Sequence, residues 1–186
     1  MSYIATSFFD RKAWDKFGVK WIEAAKAENL TGFVVGLNIP ETSRFLKQFG
    51  FYLVPVDDRS FYCEALAANL KKNQSCLFTY HDILPKGDLS LNKEIKCYRE
   101  KSLDLFKTVA PIENLFNRAK AMNILEKSND FFSTQSILGT FNFWTTYSGF
   151  QRYLYDINFL NRTASDELIF NLYIALMKPD SMEIEL

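Results

Sequence analysis

The sequence has few of the residues that build several common kinds of functional site. Its 186 residues include one histidine, His81, and three cysteines, Cys63, Cys76 and Cys97, with no Cys-x-x-Cys spacing. These counts disfavour a zinc site and a secreted disulfide framework. The chain also contains no Gly-x-Gly-x-x-Gly, no Walker-type phosphate loop and no Gly-x-Ser-x-Gly. We therefore expect no standard dinucleotide site, P-loop site or serine-hydrolase site.

The sequence also lacks an excess of charge of either sign and any long apolar run. Lysine plus arginine and aspartate plus glutamate number 22 each, and the sequence pI is about 6.6. Nucleic-acid binders carry a basic excess, so we expect no nucleic-acid partner. No stretch approaches the ~18 apolar residues of a membrane span, and the first residues do not resemble a signal peptide. A cytoplasmic protein is expected, and its oligomeric state is left open.

Hydrophobic residues, by contrast, are abundant. They make up 48% of the chain, aromatic residues make up 16%, and phenylalanine alone occurs 18 times. A chain of this length and composition can bury one substantial core, which predicts a single domain. The aromatic surplus predicts that some aromatic surface is exposed in a groove or at a partner interface.

Short apolar segments alternate with helical patterns through the first half of the chain. Strands are predicted at residues 3–9, 33–37, 51–56 and 76–80, and Asp10 is predicted to cap the first helix. Parallel strands need crossover helices, so we predict an α/β fold with a mostly parallel sheet and helices on both faces. Pro40 is predicted to open the helix between the second and third strands. In the second half, residues 88–99 are predicted to be irregular or a short strand, and helices are predicted at 102–108, 111–127, from Ser148 and at 165–177, with a late strand at 137–144.

The segment Tyr80-His81-Asp82 follows the fourth predicted strand, at the sheet edge where open α/β proteins bind ligands. If the strand persists through this segment, alternation puts Tyr80 and Asp82 on one side and His81 on the other. The Asp82 carboxylate suits Mg²⁺ or Mn²⁺ on a diphosphate, or else caps the following Pro-x-Gly turn. His81 is either an acid–base group or an ordinary packed residue.

Two further acidic pairs are candidates for the site. Asp57 and Asp58 follow the third strand, where they either contact a nucleoside or cap the next helix. Asp166 and Glu167 open the last helix, whose dipole alone stabilises acids there by roughly 0.3–1 kcal/mol. An aromatic run from Phe141 through Phe143 and Trp144 to Tyr147 either lines a sugar-binding groove or packs in the core.

These segments together resemble the nucleotide-diphospho-sugar transferases, the glycosyltransferases of the type A fold. In that family the fourth strand ends in Asp-x-Asp. Here Asp82 matches the second aspartate, and Tyr80 replaces the first. The segment Gly139-Thr140-Phe141-Asn142-Phe143-Trp144 looks like the acceptor-side strand of the family. Asp166-Glu167 is similar to the family's Asp-Glu pair.

The resemblance implies a nucleotide-binding half at 1–88 and an acceptor-side half at 89–186. It implies that Asp82 holds Mn²⁺ or Mg²⁺ on a nucleotide-diphosphate sugar, and that Asp166 and Glu167 act on the acceptor as catalytic residues. Substrate binding would involve the remaining residues of the site: Ser7, Phe8, Asp57, Asp58, Tyr80, His81, Asn142 and Trp144.

Two functions besides a glycosyltransferase stay open from the sequence alone. The second possible function is that of a non-catalytic binding or assembly module of the same fold that uses exposed aromatic side chains. A third alternative is a different Rossmann-like enzyme in which His81 and Asp82 carry out acid–base chemistry.

Overall fold

The computed structural model describes residues 2–39, 43–85, 90–100, 102–128, 130–177 and 182–185. Its strands are β1 Ser2–Asp10, β2 Gly32–Leu37, β3 Phe51–Val56, β4 Gln74–Thr79, β5 Ile95–Glu100, β6 Phe131–Thr140 and β7 Met182–Glu185. Its helices are α1 Arg11–Ala13, α2 Val19–Ala27, α3 Ser43–Gln48, α4 Tyr62–Asn69, α5 Leu105–Val109, α6 Leu115–Glu126, α7 Phe141–Asp156 and α8 Asp166–Met177. A π-helical turn, Trp14–Gly18, joins α1 to α2, and a 3₁₀ turn, Arg59–Phe61, precedes α4.

The strands form one mostly parallel sheet in the order β3-β2-β1-β4-β6-β5-β7. The neighbouring pairs from β3 to β4 are parallel, whereas β6 runs antiparallel to both β4 and β5. The carboxyl ends of β1 to β4 and β5 therefore lie at the same edge as the start of β6. One sheet runs through both predicted halves of the chain, because β4 pairs with β6. The predicted α/β fold class is confirmed.

Apolar side chains cover both faces of this sheet. Alternation along β2 sends Phe33 and Val35 into one buried cluster and Val34 into the other. The first cluster contains buried residues from α4, α6, α7 and α8, and the second contains Trp21 and Leu46 from α2 and α3. Helices thus flank the sheet on both sides, as predicted.

Most predicted elements of the first half are confirmed. Strand β3 has the predicted bounds, and β1, β2 and β4 differ from them by one or two residues. Asp10 caps α1, because its Oδ1 accepts a hydrogen bond from the Ala13 N–H at 2.7 Å. Pro40, predicted to open the next helix, lies outside the described residues.

The second half requires two corrections. The predicted strand 137–144 ends at Thr140, and Phe141 begins helix α7. Thr140 ends the strand because its hydroxyl caps the helix, accepting from the Phe143 N–H at 3.2 Å. Ser148, predicted to open this helix, lies inside it. The stretch 88–99, expected to be irregular or a short strand, contains part of β5, which pairs with β6.

Candidate functional site

A cleft of about 510 Å³ lies at the carboxyl edge of the parallel strands. It combines the turn after β4 with the end of β5, the start of β6 and the approach to α8. Its lining residues are Arg59, Tyr80, Asp82, Glu100, 133–135 and 162–167. The cleft therefore has the location at which open α/β sheets bind ligands.

Three of the lining side chains, Asp166, Tyr80 and Arg59, form a hydrogen-bonded cluster. The Asp166 Oδ2 accepts a hydrogen bond from the Tyr80 hydroxyl at 2.8 Å and pairs with the Arg59 Nη2 at 2.9 Å. Asp166 is only 7% exposed, so its carboxylate depends on these donors. Burial, followed by the nearby negative charge of Asp166, raises the pKa of Tyr80. The phenol therefore stays protonated at neutral pH and remains a donor.

Arg59 is held against the sheet by two neighbours. Its guanidinium carbon lies 5.6 Å from the centre of the Phe8 ring on β1, and its Nη2 contacts Asp166. The arginine side chain is still 56% exposed. A planar guanidinium has several N–H donors, so Arg59 can bind a ligand while it keeps its contact with Asp166.

The two glutamates that line the cleft lie apart from the pair of Arg59 and Asp166. Glu100 ends β5, which is separated from β4 by β6, and Glu167 opens α8. Burial, followed by the charge of Glu100, raises the pKa of Glu167. The cleft is thus polarised, with Arg59 beside β1 and the two glutamates beside β5 and β6.

The start of α8 is fixed by local hydrogen bonds and by its contact with β6. Ser165 Oγ accepts from the Leu168 N–H at 3.2 Å, which is a helix-capping contact. Asn171, only 2% exposed, accepts from the Phe132 N–H at 2.8 Å and donates to the Phe132 carbonyl at 3.0 Å. These bonds place Asp166 and Glu167 at the cleft.

The chain resembles solved glycosyltransferase structures over nearly its whole length. One match is the galactosyltransferase LgtC, solved in complex with donor and acceptor sugar analogs. The alignment covers 97% of this chain and 72% of LgtC, with a TM-score of 0.58 and 12% identity. Two structures of the glycosyltransferase GlyE from Streptococcus pneumoniae TIGR4 match at TM-scores of 0.52 and 0.53, with 13% and 15% identity. The chain has the fold of these enzymes.

The similarity lies in the fold and not in the sequence. All of this chain aligns to GlyE, but it spans only 45–46% of the GlyE length. No protein-family model matches the sequence, and a search of curated proteins finds no match.

The structure brings together four of the residues singled out in the sequence. Tyr80, Asp82, Asp166 and Glu167 all line the cleft. Phe8 lies next to it, beneath Arg59. Tyr80 and Asp82 line the cleft, whereas His81 packs beside Phe9 and Phe17 with ring centres 6.0 and 5.5 Å apart. Strand β4 ends at Thr79, so these three residues follow the strand and strand alternation does not set their directions.

The remaining predicted residues do not line this cleft. Ser7 is fully buried in β1, and Asp57 and Asn142 are exposed. Asp58 caps the 3₁₀ turn, since its Oδ1 accepts from the Ser60 N–H at 2.8 Å, and this hydrogen bond lowers the pKa of Asp58. Trp144 is 1% exposed and donates from Nε1 to the Cys76 carbonyl at 3.2 Å, so it is a core residue.

Sequence reasoning missed three residues of this region. Arg59 and Arg162 line the cleft, and Asn171 fixes the helix that carries Asp166. Arg59 follows the third strand directly after Asp57-Asp58, so its place at the carboxyl edge was available from the strand pattern. Nothing in the pattern indicates its pairing with Asp166, which lies 107 residues further along the chain.

Among the described residues, the donors around Asp82 do not form a preformed metal centre. Mg²⁺ on a diphosphate is held by one or two carboxylates, and at the first of the two motif positions this chain has Tyr80. Tyr80 donates to Asp166, and His81 lies on the other side of the segment. In the part of the chain that the structure describes, no three His, Cys, Asp or Glu side chains are grouped to hold a metal ion. A metal-binding role for Asp82, which is exposed in the cleft, stays a prediction.

Among the described residues, no helix combines the length and the apolar character that crossing a membrane requires.

Proposed function

We propose that this chain binds a nucleotide-diphosphate sugar in the cleft and transfers the sugar to an acceptor hydroxyl. The observation that carries the proposal is the joint presence of Tyr80, Asp82, Asp166 and Glu167 in one cleft at the carboxyl edge of the sheet. The glycosyltransferase fold supports it.

The polarity of the cleft suggests how the two substrates lie. The donor diphosphate is negative and belongs beside Arg59, whereas the acceptor hydroxyl belongs beside Glu167. As the acceptor oxygen bonds to the anomeric carbon, the bond from that carbon to the diphosphate breaks. Glu167 takes the hydroxyl proton, and its raised pKa makes it a better base than an ordinary glutamate.

In this arrangement Asp166 and Glu167 have different roles. Asp166 already accepts from Tyr80 and pairs with Arg59, so it positions those two side chains. Glu167 is half-buried in the cleft, with an oxygen-rich side chain available to a hydroxyl. The proton-accepting role is therefore assigned to Glu167.

Thermal melting against UDP-, GDP- and CDP-sugars, with and without Mn²⁺, tests donor binding. A ligand at ~100 times its Kd stabilises by about 2.7 kcal/mol, which raises the Tm of a chain of this size by about 5–10 °C. The Mn²⁺ arm is included because the metal-binding role of Asp82 is a prediction. If no nucleotide sugar raises the Tm in either condition, the proposal is wrong.

Release of the nucleoside diphosphate from the bound donor, with water as the hydroxyl acceptor of the sugar, tests the transfer chemistry. Glu167→Gln is expected to keep the Tm shift and to lose release by about 10²–10⁴-fold, the usual contribution of a general base. Glu126→Gln, on an exposed site of α6, is the matched control and should change neither quantity. Equal release by Glu167→Gln and the unmodified protein would remove Glu167 from the mechanism.

A non-catalytic binding module is the second candidate, and one observation favours it. Phe106 on α5 is 80% exposed, and Leu115 and Phe116 on α6 are 74% and 76% exposed. Large apolar side chains with this exposure occur at interaction surfaces. Failure of every nucleotide sugar in the melting assay would favour this function.

A further inference from the structure

Among the described residues, an arginine lies beside the motif segment of the cleft. Tyr80, at the first position of the Asp-x-Asp pattern, donates its hydroxyl hydrogen to Asp166 at 2.8 Å. The same Asp166 oxygen contacts the Arg59 guanidinium at 2.9 Å. This Asp166 oxygen is thus already paired with a cation of the chain, which makes it a poor ligand for a cation from solution.

Arg59 is suited to bind a diphosphate. Its guanidinium is kept in position by the Phe8 ring on one side and by Asp166 on another, which reduces the entropy lost when a ligand binds. The side chain is 56% exposed, so donors remain accessible from the cleft. Arginine binds phosphate oxygens in a two-pronged geometry, through charge-assisted hydrogen bonds.

A second arginine lines the same cleft. The Arg162 guanidinium carbon lies 4.7 Å from the centre of the Phe61 ring, and Phe61 is two residues after Arg59. The two arginines therefore reach the cleft from neighbouring positions. Glu100 and Glu167 lie beside β5, and Asp82 follows β4, so the cleft is not basic throughout. Within the cleft, the end that carries Arg59 and Arg162 is therefore the more favourable one for an anion.

We infer that Arg59, supported by Asp166 and Tyr80 and assisted by Arg162, binds the donor diphosphate in place of a divalent metal ion. The inference rests on the proposed function, since it concerns how the same cleft holds its donor. It predicts that nucleotide binding needs no divalent ion, whereas a metal ion held by Asp82 would make nucleotide binding depend on one.

Calorimetric titration with UDP, GDP and CDP, each in excess EDTA and in Mn²⁺, is the first experiment. At least one nucleotide is expected to bind with the same Kd in both buffers. Arg59→Gln should weaken that binding by about 10- to 100-fold, the range for hydrogen bonds to charged groups. Arg59→Lys keeps the charge without the planar fork and should lose less. Arg152→Gln, which removes an arginine that does not line the cleft, is the matched control and should bind normally.

Electron paramagnetic resonance of Mn²⁺ alone is the second experiment. The unmodified protein should bind no Mn²⁺ at this position, whereas Tyr80→Asp, which restores the pair of carboxylates, should bind it. Tyr80→Phe removes the hydroxyl without adding a carboxylate and should not. Melting curves of each variant establish that it is folded.

Two results separate this inference from the proposed function. The first is nucleotide binding that requires Mn²⁺ and is abolished by Asp82→Asn. The second is Mn²⁺ binding to the unmodified protein that Asp82→Asn removes. Either result would overturn the inference and leave the transferase proposal standing. No binding of any of the three nucleotides in either buffer would overturn both.

Discussion

Replacing Tyr80 by phenylalanine tests the hydrogen bond between Tyr80 and Asp166 in the candidate site. The change removes only the hydroxyl that donates to Asp166 Oδ2 at 2.8 Å. The acceptor is a carboxylate that is 7% exposed, and Tyr80 is half-buried. Hydrogen bonds to charged groups contribute roughly 1.5–3 kcal/mol, so a loss of about 2 kcal/mol in the free energy of unfolding is expected. For a chain of this size that loss lowers the Tm by about 4–8 °C.

A double-mutant cycle with Asp166→Asn tests the reason for this loss. An asparagine can still accept the Tyr80 hydroxyl, but a neutral hydrogen bond contributes only about 1 kcal/mol. Tyr80→Phe should therefore cost about 1 kcal/mol less in the Asp166→Asn background than in the unmodified protein. Urea or thermal denaturation of the four proteins measures the cycle, with Tyr153→Phe, on a 58% exposed side chain, as the control. Equal losses in both backgrounds, within about 0.5 kcal/mol, would refute the charge-assisted bond.

Three further predictions concern Glu167, Asp58 and Gly139. Because the pKa of Glu167 is raised, ionising this carboxyl costs more in the folded than in the unfolded protein, so the unmodified protein should become less stable than Glu167→Gln as the pH rises through that pKa. In a pH series of melting curves, the difference should vanish below the ordinary pKa of 4.5. Asp58→Ala removes a cap and should lower the free energy of unfolding by about 1 kcal/mol, while exposed Asp57→Ala should change it by less than about 0.5 kcal/mol in urea denaturation. Gly139→Ala places a Cβ against the Phe143 ring and should destabilise the fold by about 1–3 kcal/mol, whereas a neutral result would mean that the ring moves aside.

Local patterns predicted the first half of the fold well for identifiable reasons. Strand β3 is bounded by Gly50 and Asp57, and β1 ends at Asp10, whose side chain caps the helix that follows. These boundary signals act over a few residues, so they can be recognised directly in the sequence. The boundary at Thr140 was missed because the aromatic residues after it fit a strand as well as a helix. The contacts that choose the helix, such as the one between the Trp144 Nε1 and the Cys76 carbonyl, connect distant parts of the chain.

The amino-acid order by itself determined the alternation of strands and helices and the α/β class. These features follow from the side-chain period of two in a strand and from the need of parallel strands for crossovers. Only the tertiary structure decided that Asp166 contacts both Tyr80 and Arg59, 86 and 107 residues away along the chain. Such pairings depend on the order of strands in the sheet and on the docking of α8 against β6 through Asn171. They are set by the packing of the whole core, which no local pattern encodes.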